Sequence, residues 1–175
     1  AFSSPDEVLE REIMNHLFPD TTYGCESGGD PKNIPDLTYE NFLNFHRTYY
    51  HPSNSYIYLY GNMDMEEKLA FLDEHYLSHF DYLDVDSVIQ EQKAFGACRD
   101  VTLEYPVAEN EGEEDNTYLS YNMVVGNAAD SQMAMAFEVL DYALLSAPGA
   151  PLKQALLDVK AGKDVYGSYD DGILQ

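Results

Sequence analysis

The chain has 175 residues, of which 45% are hydrophobic and 13% aromatic, which argues against a disordered chain and predicts that it can bury a core. Nine Lys and Arg oppose 32 Asp and Glu, giving a formal net charge of -23; this argues against nucleic acid and anionic membranes as partners, because both need clustered cations. The same field would attract basic peptides, although an acidic surface also serves solubility alone.

The first half of the chain is predicted to hold three helices and one strand. Ser4 and Glu7 have the spacing of a capping box, with Pro5 at the first helical position. A continuous apolar run over 56–60 predicts a buried central strand. In chain order the elements are a helix from Pro5 to Phe18, a loop over 19–36, a helix from Thr38 to His51, the strand over 56–60, a helix that Asp64 caps and that reaches Phe80, and a connector over 81–97.

The second half is predicted to hold three strands and two helices. Apolar and polar residues alternate over 101–105 and again over 118–125, which is typical of half-exposed strands. An acidic loop over 109–115 separates these two strands. Asp130 caps a helix that runs to about Ser146, Pro151 opens another helix with Gly162 suited to its C-terminal cap, and 165–174 is predicted as a final strand.

This order of elements favours an α+β fold over a doubly wound parallel sheet, because the helices cluster between strand pairs and do not strictly alternate with them. We expect a mixed, mainly antiparallel sheet with helices packed on one face. The whole of 1–175 is predicted to be a single domain, with one part over 1–90 and another over 98–175. The last strand stops abruptly at Gln175, so an unpaired sheet edge is expected there.

The two cysteines, Cys25 and Cys98, form no CxxC pair and have no metal-ligand spacing. A reducing compartment is therefore expected, and we predict a cytoplasmic, bacterial setting. The sequence shows no signal peptide and no stretch of the roughly 18 apolar residues that a membrane helix needs. It begins without Met, which suggests a segment of a longer chain.

One cluster resembles a metal site. His75 and His79 are four positions apart and are predicted to lie on one side of a helix, beside Glu74. Residues 71–75 also resemble an inverted zinc-protease motif, HxxEH, in which Phe71 replaces the first His. That replacement removes a ligand, and two His leave a catalytic zinc short of a third. An independent metal site and an ordinary pair of half-exposed His therefore both stay open.

The remaining polar candidates have structural explanations. A cation near a helix C-terminus suits the dipole, which accounts for His46 and His51. His16, alone on an apolar face, is expected to be a core residue. The acidic connector residues lack the spacing of a calcium loop; they are Asp81, Asp84 and Asp86. No nucleophile motif is present.

Tyrosine is concentrated in one stretch. Five Tyr occur among the twelve residues of 49–60. Tyr at strand positions usually belongs to a core or to the surface of a sheet. A peptide-binding wall is the alternative, because Tyr combines apolar area with a hydrogen-bonding tip.

Two blocks of sequence resemble the insulinase/pitrilysin family of zinc metallopeptidases. The first is residues 45–55, Phe-His-Arg-Thr-Tyr-Tyr-His-Pro-Ser-Asn-Ser, followed by the apolar run and by Gly-Asn-Met-Asp over 61–64. The second resembles the presequence-peptidase branch; it comprises Val-Leu-Asp-Tyr-Ala-Leu-Leu over 139–145, Pro-Gly-Ala-Pro-Leu over 148–152, Ala155 with Leu156, and Gly-Lys-Asp-Val over 162–165. The resemblance covers nearly the whole chain.

The resemblance implies a role without catalytic residues. Members of the family enclose a chamber with homologous α+β domains, bind zinc through HxxEH and a more distant Glu, and degrade unfolded peptides. In family order both zinc elements precede this chain, and 1–5 resembles the segment just after the third ligand. The resemblance therefore implies the second domain, which does not bind zinc. We expect no catalytic, cofactor-binding or metal-binding residue in these 175 residues.

The main hypothesis is a chamber-wall domain of a zinc-dependent peptidase that degrades unfolded oligopeptides. Zinc would belong to the parent protein, and this segment would be inactive alone. Its partners would be the upstream catalytic domain and the downstream half of the same chain, together with unfolded peptides, but no nucleic acid and no membrane. The alternative is a non-catalytic peptide-binding or assembly module of a silent homologue.

Overall fold

A computed structural model describes residues 4–110, 112, 114 and 116–175. Its α-helices are α1 (Pro5–Leu17), α2 (Tyr39–Tyr49), α3 (Met65–His75), α4 (Ser131–Asp141) and α5 (Pro151–Asp158). A π-helical turn, Tyr142–Ser146, continues α4, so the predicted helix to about Ser146 is confirmed. Short 3-10 turns occupy Thr22–Gly24, Ile34–Asp36, Pro52–Asn54 and Leu77–His79.

The predicted α+β fold is wrong for the described residues, in which the regular elements are all helical. The segments 56–60, 101–105, 118–125 and 165–174 contain no β-strand. A β-strand forms only where its N–H and C=O groups make hydrogen bonds with those of a neighbouring strand. The predicted last strand has a backbone hydrogen bond from Ala128 N, three residues beyond the predicted strand over 118–125, to Leu174 O at 2.8 Å, and an isolated bond does not make a ladder.

The predicted helix starts depend on local side chains, and most of them form. Thr38, Asp64 and Asp130 each accept a hydrogen bond from a backbone amide in the first turn of α2, α3 and α4. Ser4 is the exception: its side chain makes no capping bond, so the predicted capping box is wrong there. Pro5 does lie at the start of α1, as predicted.

The end of α5 differs from the prediction, because Lys160 takes the position that was assigned to Gly162. Lys160 has φ 55°, in the left-handed region. Its amide donates to Leu157 O at 2.9 Å, and the amide of Ala161 donates to Leu156 O at 3.0 Å. This pair of bonds is a Schellman motif, which satisfies the last carbonyls of a helix.

The chain divides into two units. The first unit comprises residues 4–25 together with 90–175, and the second unit comprises 26–89. Residues at least nine-tenths buried, among those described, are Phe18, Gln92, Ala134 and Ala150. All four belong to the first unit, so the expected core is small in the described chain. The prediction of a single domain over 1–175 stays a prediction.

Candidate functional site

The metal-like cluster does not assemble as the sequence predicted. Helix α3 ends at His75, because Tyr76 leaves the helical region at φ -139° and ψ -65°. His79 belongs to the separate 3-10 turn, so the two His do not share one helix. The His75 ring packs on Phe71 with centroids 4.5 Å apart. Within the described part of the chain, no group of three or more His, Cys, Asp or Glu could hold a metal ion.

The other histidines are engaged in local structure. His46 stacks on Tyr50 with centroids 4.8 Å apart. His51 Nδ1 accepts the amide of Ser53 at 3.2 Å, and its ring meets Phe80 edge-on at 5.3 Å. His16 Nδ1 donates to the Glu12 carbonyl at 2.7 Å. The prediction of a core His16 is wrong, because that ring is partly exposed.

Asn54 links two segments of the second unit, a role that sequence reasoning missed. Its Nδ2 donates to Tyr49 O at 2.9 Å, and its Oδ1 accepts the Ser87 hydroxyl at 2.5 Å. The neighbouring Ser53 Oγ accepts the amide of Leu83 at 3.1 Å. Asn54 therefore satisfies a carbonyl at the end of α2 and also holds the connector. In the sequence, Pro52-Ser53-Asn54 indicated only that α2 ends there. Nothing in it predicted the bonds from this turn to Leu83 and Ser87.

The tyrosine-rich run over 56–60 is exposed and not buried as predicted. Tyr56, Tyr58 and Tyr60 are all largely accessible, and Ile57 is half exposed. No backbone hydrogen bond joins 56–60 to another described residue. The run therefore offers both its rings and its main-chain polar groups to a ligand or to another polypeptide segment.

A cleft of about 530 Å³ lies in the first unit. The rings of Tyr105 and Tyr118 meet edge-on at 5.7 Å beside it, and the Tyr105 hydroxyl donates to Asn116 O. Ser4, Pro5 and 106–108 complete the lining. Among the described residues that line it, the cleft holds hydrogen-bonding groups but no nucleophile paired with a base.

The acidic connector residues and the cysteines are accessible. Asp81, Asp84 and Asp86 are exposed. Cys25 and Cys98 are free thiols and are also exposed. In the described ranges, no helix is both long enough and apolar enough to cross a membrane.

Comparison with known families decides what this arrangement belongs to. The family model described as Peptidase M16 inactive domain matches residues 36–174. The chain belongs to the peptidase M16 family. The predicted resemblance to the presequence-peptidase branch and to a second, non-zinc-binding domain is thereby confirmed.

Relatives of this M16 domain are much longer proteins. Protein HypA of Clostridium perfringens (strain 13 / Type A) is 49% identical over 175 residues, covering 100% of this chain and 18% of that protein. Presequence protease 1, chloroplastic/mitochondrial, of Arabidopsis thaliana is 37% identical over 178 residues, 99% of this chain and 16% of that protein. Presequence protease, mitochondrial, of Xenopus laevis is 33% identical over 165 residues, 94% of this chain and 16% of that protein.

Zinc, which the family implies, does not fit the donor set that the described residues of this M16 domain offer. A catalytic zinc takes three protein ligands and keeps one open position. Glu74, His75 and His79 are the nearest approach in sequence, yet they do not form a ligand group in the described chain. We therefore derive no catalytic step for these residues.

Proposed function

We propose that this chain is a non-catalytic wall domain of a zinc-dependent peptidase that degrades unfolded oligopeptides. The observation that carries the proposal is the match of 36–174 to the Peptidase M16 inactive domain. The names of the Arabidopsis and Xenopus relatives, both presequence proteases, support peptide cleavage by the parent protein.

In this proposal zinc and the catalytic residues belong to parts of the parent polypeptide outside 1–175. The partners of the domain are the upstream catalytic domain and the downstream half of the same chain. This division agrees with the described residues, among which no three His, Cys, Asp or Glu form a ligand group.

The contribution of the domain is electrostatic and steric. A net charge of -23 creates a field that attracts basic, unfolded peptides and raises their local concentration. The exposed rings of Tyr56, Tyr58 and Tyr60 add apolar area with hydroxyl tips to such a wall. Attraction of this kind weakens with added salt, because exposed charges are screened.

Zinc binding and peptide cleavage test the proposal, measured on the 175-residue chain beside a longer chain that includes the upstream polypeptide. We expect zinc binding and cleavage of an unfolded basic peptide only in the longer chain. If the 175 residues alone bound zinc tightly and cleaved the peptide, the proposal would be wrong. Zinc binding by the double variant His75→Ala with His79→Ala would then be measured. Lost binding would place the zinc site at these two residues, and unchanged binding would exclude them.

A second function is favoured by the exposed tyrosine run. Five consecutive residues with free main-chain groups, three of them carrying accessible rings, suit a module that holds peptides without cutting them. The parent would then be a silent homologue. Binding of a peptide by the longer chain without turnover would favour this alternative over the wall of an active peptidase.

We also propose a cytoplasmic, bacterial setting. The two free, exposed thiols support it, because a reducing compartment tolerates them. Protein HypA comes from a bacterium, although the presequence proteases of the comparison are named for organelles.

A further inference from the structure

Helix α2 carries an aromatic surface on one side. Tyr39, Phe42, Phe45 and Tyr49 fall within one arc when residues are spaced at 100° around the helix axis, His46 lies in the same arc, and Tyr50 follows as the C-terminal cap. We call Tyr39, Phe42, Phe45, Tyr49 and Tyr50 the aromatic face. The opposite arc is polar and consists of Glu40, Asn41, Asn44, Arg47 and Thr48.

The aromatic face is uncovered, and the Phe45 ring already contacts the rings of Tyr49 and Tyr50. Tyr39 is 76% exposed, Phe42 66% and Phe45 58%. The Phe45 and Tyr49 rings lie 4.8 Å apart, and those of Phe45 and Tyr50 lie 6.4 Å apart. A contiguous apolar patch of this kind marks an interaction surface, because isolated domains rarely leave one in water.

The charge of the chain limits which kind of partner can cover the aromatic face. None of the five residues is an Asp, Glu, Lys or Arg, whereas the whole chain carries a formal charge of -23. A second copy would bring another -23 against the first, and an anionic bilayer would be repelled in the same way. The polar arc has a single Arg, unlike a membrane-surface helix, whose polar face is rich in Lys and Arg. The occupant that fits is an uncharged apolar surface.

The length of the relatives indicates where such an apolar surface could come from. The chain spans only 16% to 18% of their length, so most of a protein of that kind lies outside these residues. We propose that the aromatic face of α2 docks against an uncharged apolar surface of the parent polypeptide outside 1–175. This inference rests on the proposed function in one respect, since both require a longer parent chain.

Amide hydrogen exchange of the wild type provides the first test. The amides of α2 are compared in the 175-residue chain and in the longer chain that includes the upstream and downstream polypeptide. Docking should slow their exchange about tenfold or more in the longer chain, because local opening must then break the contact. Equal exchange rates in the two chains would overturn the inference.

A matched pair of variants provides the second test. Phe42→Asp places a charge on the aromatic face, and Asn44→Asp places the same charge on the polar arc. In the longer chain we expect Phe42→Asp to lower the urea midpoint and to return α2 exchange to the rate of the 175-residue chain, while Asn44→Asp leaves both unchanged. In the 175-residue chain both variants should be tolerated. Equal behaviour of the two variants in the longer chain would contradict docking, and if Phe42→Asp prevents folding the wild-type exchange data still decide.

Other occupants give different outcomes. Sedimentation of the 175-residue chain as a dimer that Phe42→Asp dissociates would assign the face to a second copy and overturn the proposal. Flotation with neutral phosphatidylcholine vesicles would assign it to a membrane, with the same consequence. Protected α2 amides in a longer chain that cleaves no peptide would leave docking standing while the peptidase function failed. Cleavage with unprotected α2 amides would do the reverse.

Discussion

The side chain of Gln92 holds Asp20 at two points across 72 positions of sequence. Gln92 Oε1 accepts the amide of Asp20 at 2.9 Å, and Nε2 donates to Asp20 Oδ2 at 2.7 Å. Gln92 is only 6% exposed, and its own backbone bonds the side chain of Gln175 in both directions. These bonds join the segment after α1 to the end of the chain within the first unit.

Replacement of this buried amide should weaken the first unit. We expect Gln92→Leu to lower the free energy of unfolding by about 1–2 kcal/mol, because three side-chain hydrogen bonds are lost, two with Asp20 and a long one to Lys93 O, while water still reaches the exposed Asp20. Urea denaturation followed by far-ultraviolet circular dichroism measures the change. Gln90→Leu, at an exposed position nearby, is the control and should have little effect. Similar losses from both variants would show that the Gln92 bonds do not stabilise the unit.

Gly24 lies where a side chain cannot fit without movement of the backbone. A Cβ at this position would be 2.3 Å from the carbonyl oxygen of Phe18, which is itself buried. Gly24→Ala should therefore lower the free energy of unfolding by about 1–3 kcal/mol, the usual cost of overpacking. At Gly96 an added Cβ meets no atom within 4 Å, so Gly96→Ala is the matched control. A Gly24→Ala chain with an unchanged urea midpoint would contradict this account.

Lys160 adopts a backbone conformation that suits glycine better. Its φ of 55° completes the Schellman motif at the end of α5. Lys160→Gly should raise the free energy of unfolding by roughly 0.5–1 kcal/mol, because a Cβ is disfavoured in the left-handed region.

The same substitution inside α5 has the opposite expected sign. Lys153→Gly should lower stability by about 1 kcal/mol, the cost of glycine in a helix interior. Thermal denaturation of the two variants beside the wild type compares them directly. If both changes were destabilising to the same extent, the left-handed conformation of Lys160 would not be a source of strain.

Asn54 should stabilise the last turn of α2. Asn54→Ala removes the bonds to Tyr49 O and to Ser87, so we expect a loss of roughly 1–2 kcal/mol in the second unit and faster amide exchange at the end of α2. Asn44→Ala, on the exposed polar side of the same helix, is the control. Exchange that is unchanged in Asn54→Ala would show that the turn holds the helix end without this side chain.

Of the structural features, the helix N-caps were predicted best from the sequence, although not all of them form. The caps at Thr38, Asp64 and Asp130 need only a side-chain oxygen and an amide two or three residues ahead, and all three form. Ser4 has the same local signal without the bond. The end of α3 before His79 was missed, because the helix stops at His75 without a Pro or Gly to signal it.

The sequence by itself determined the family of this protein and the start of most of its helices, because both depend on residue identity and on neighbours a few positions away. Only the tertiary structure decided that the apolar runs stay unpaired, that Gln92 is buried, and that the metal-like pair of His does not assemble. Periodicity shows which face of a segment could be covered. Whether another segment covers that face depends on residues far away in the chain. Strand-pairing hydrogen bonds, burial and metal-ligand geometry arise only when those residues are brought together.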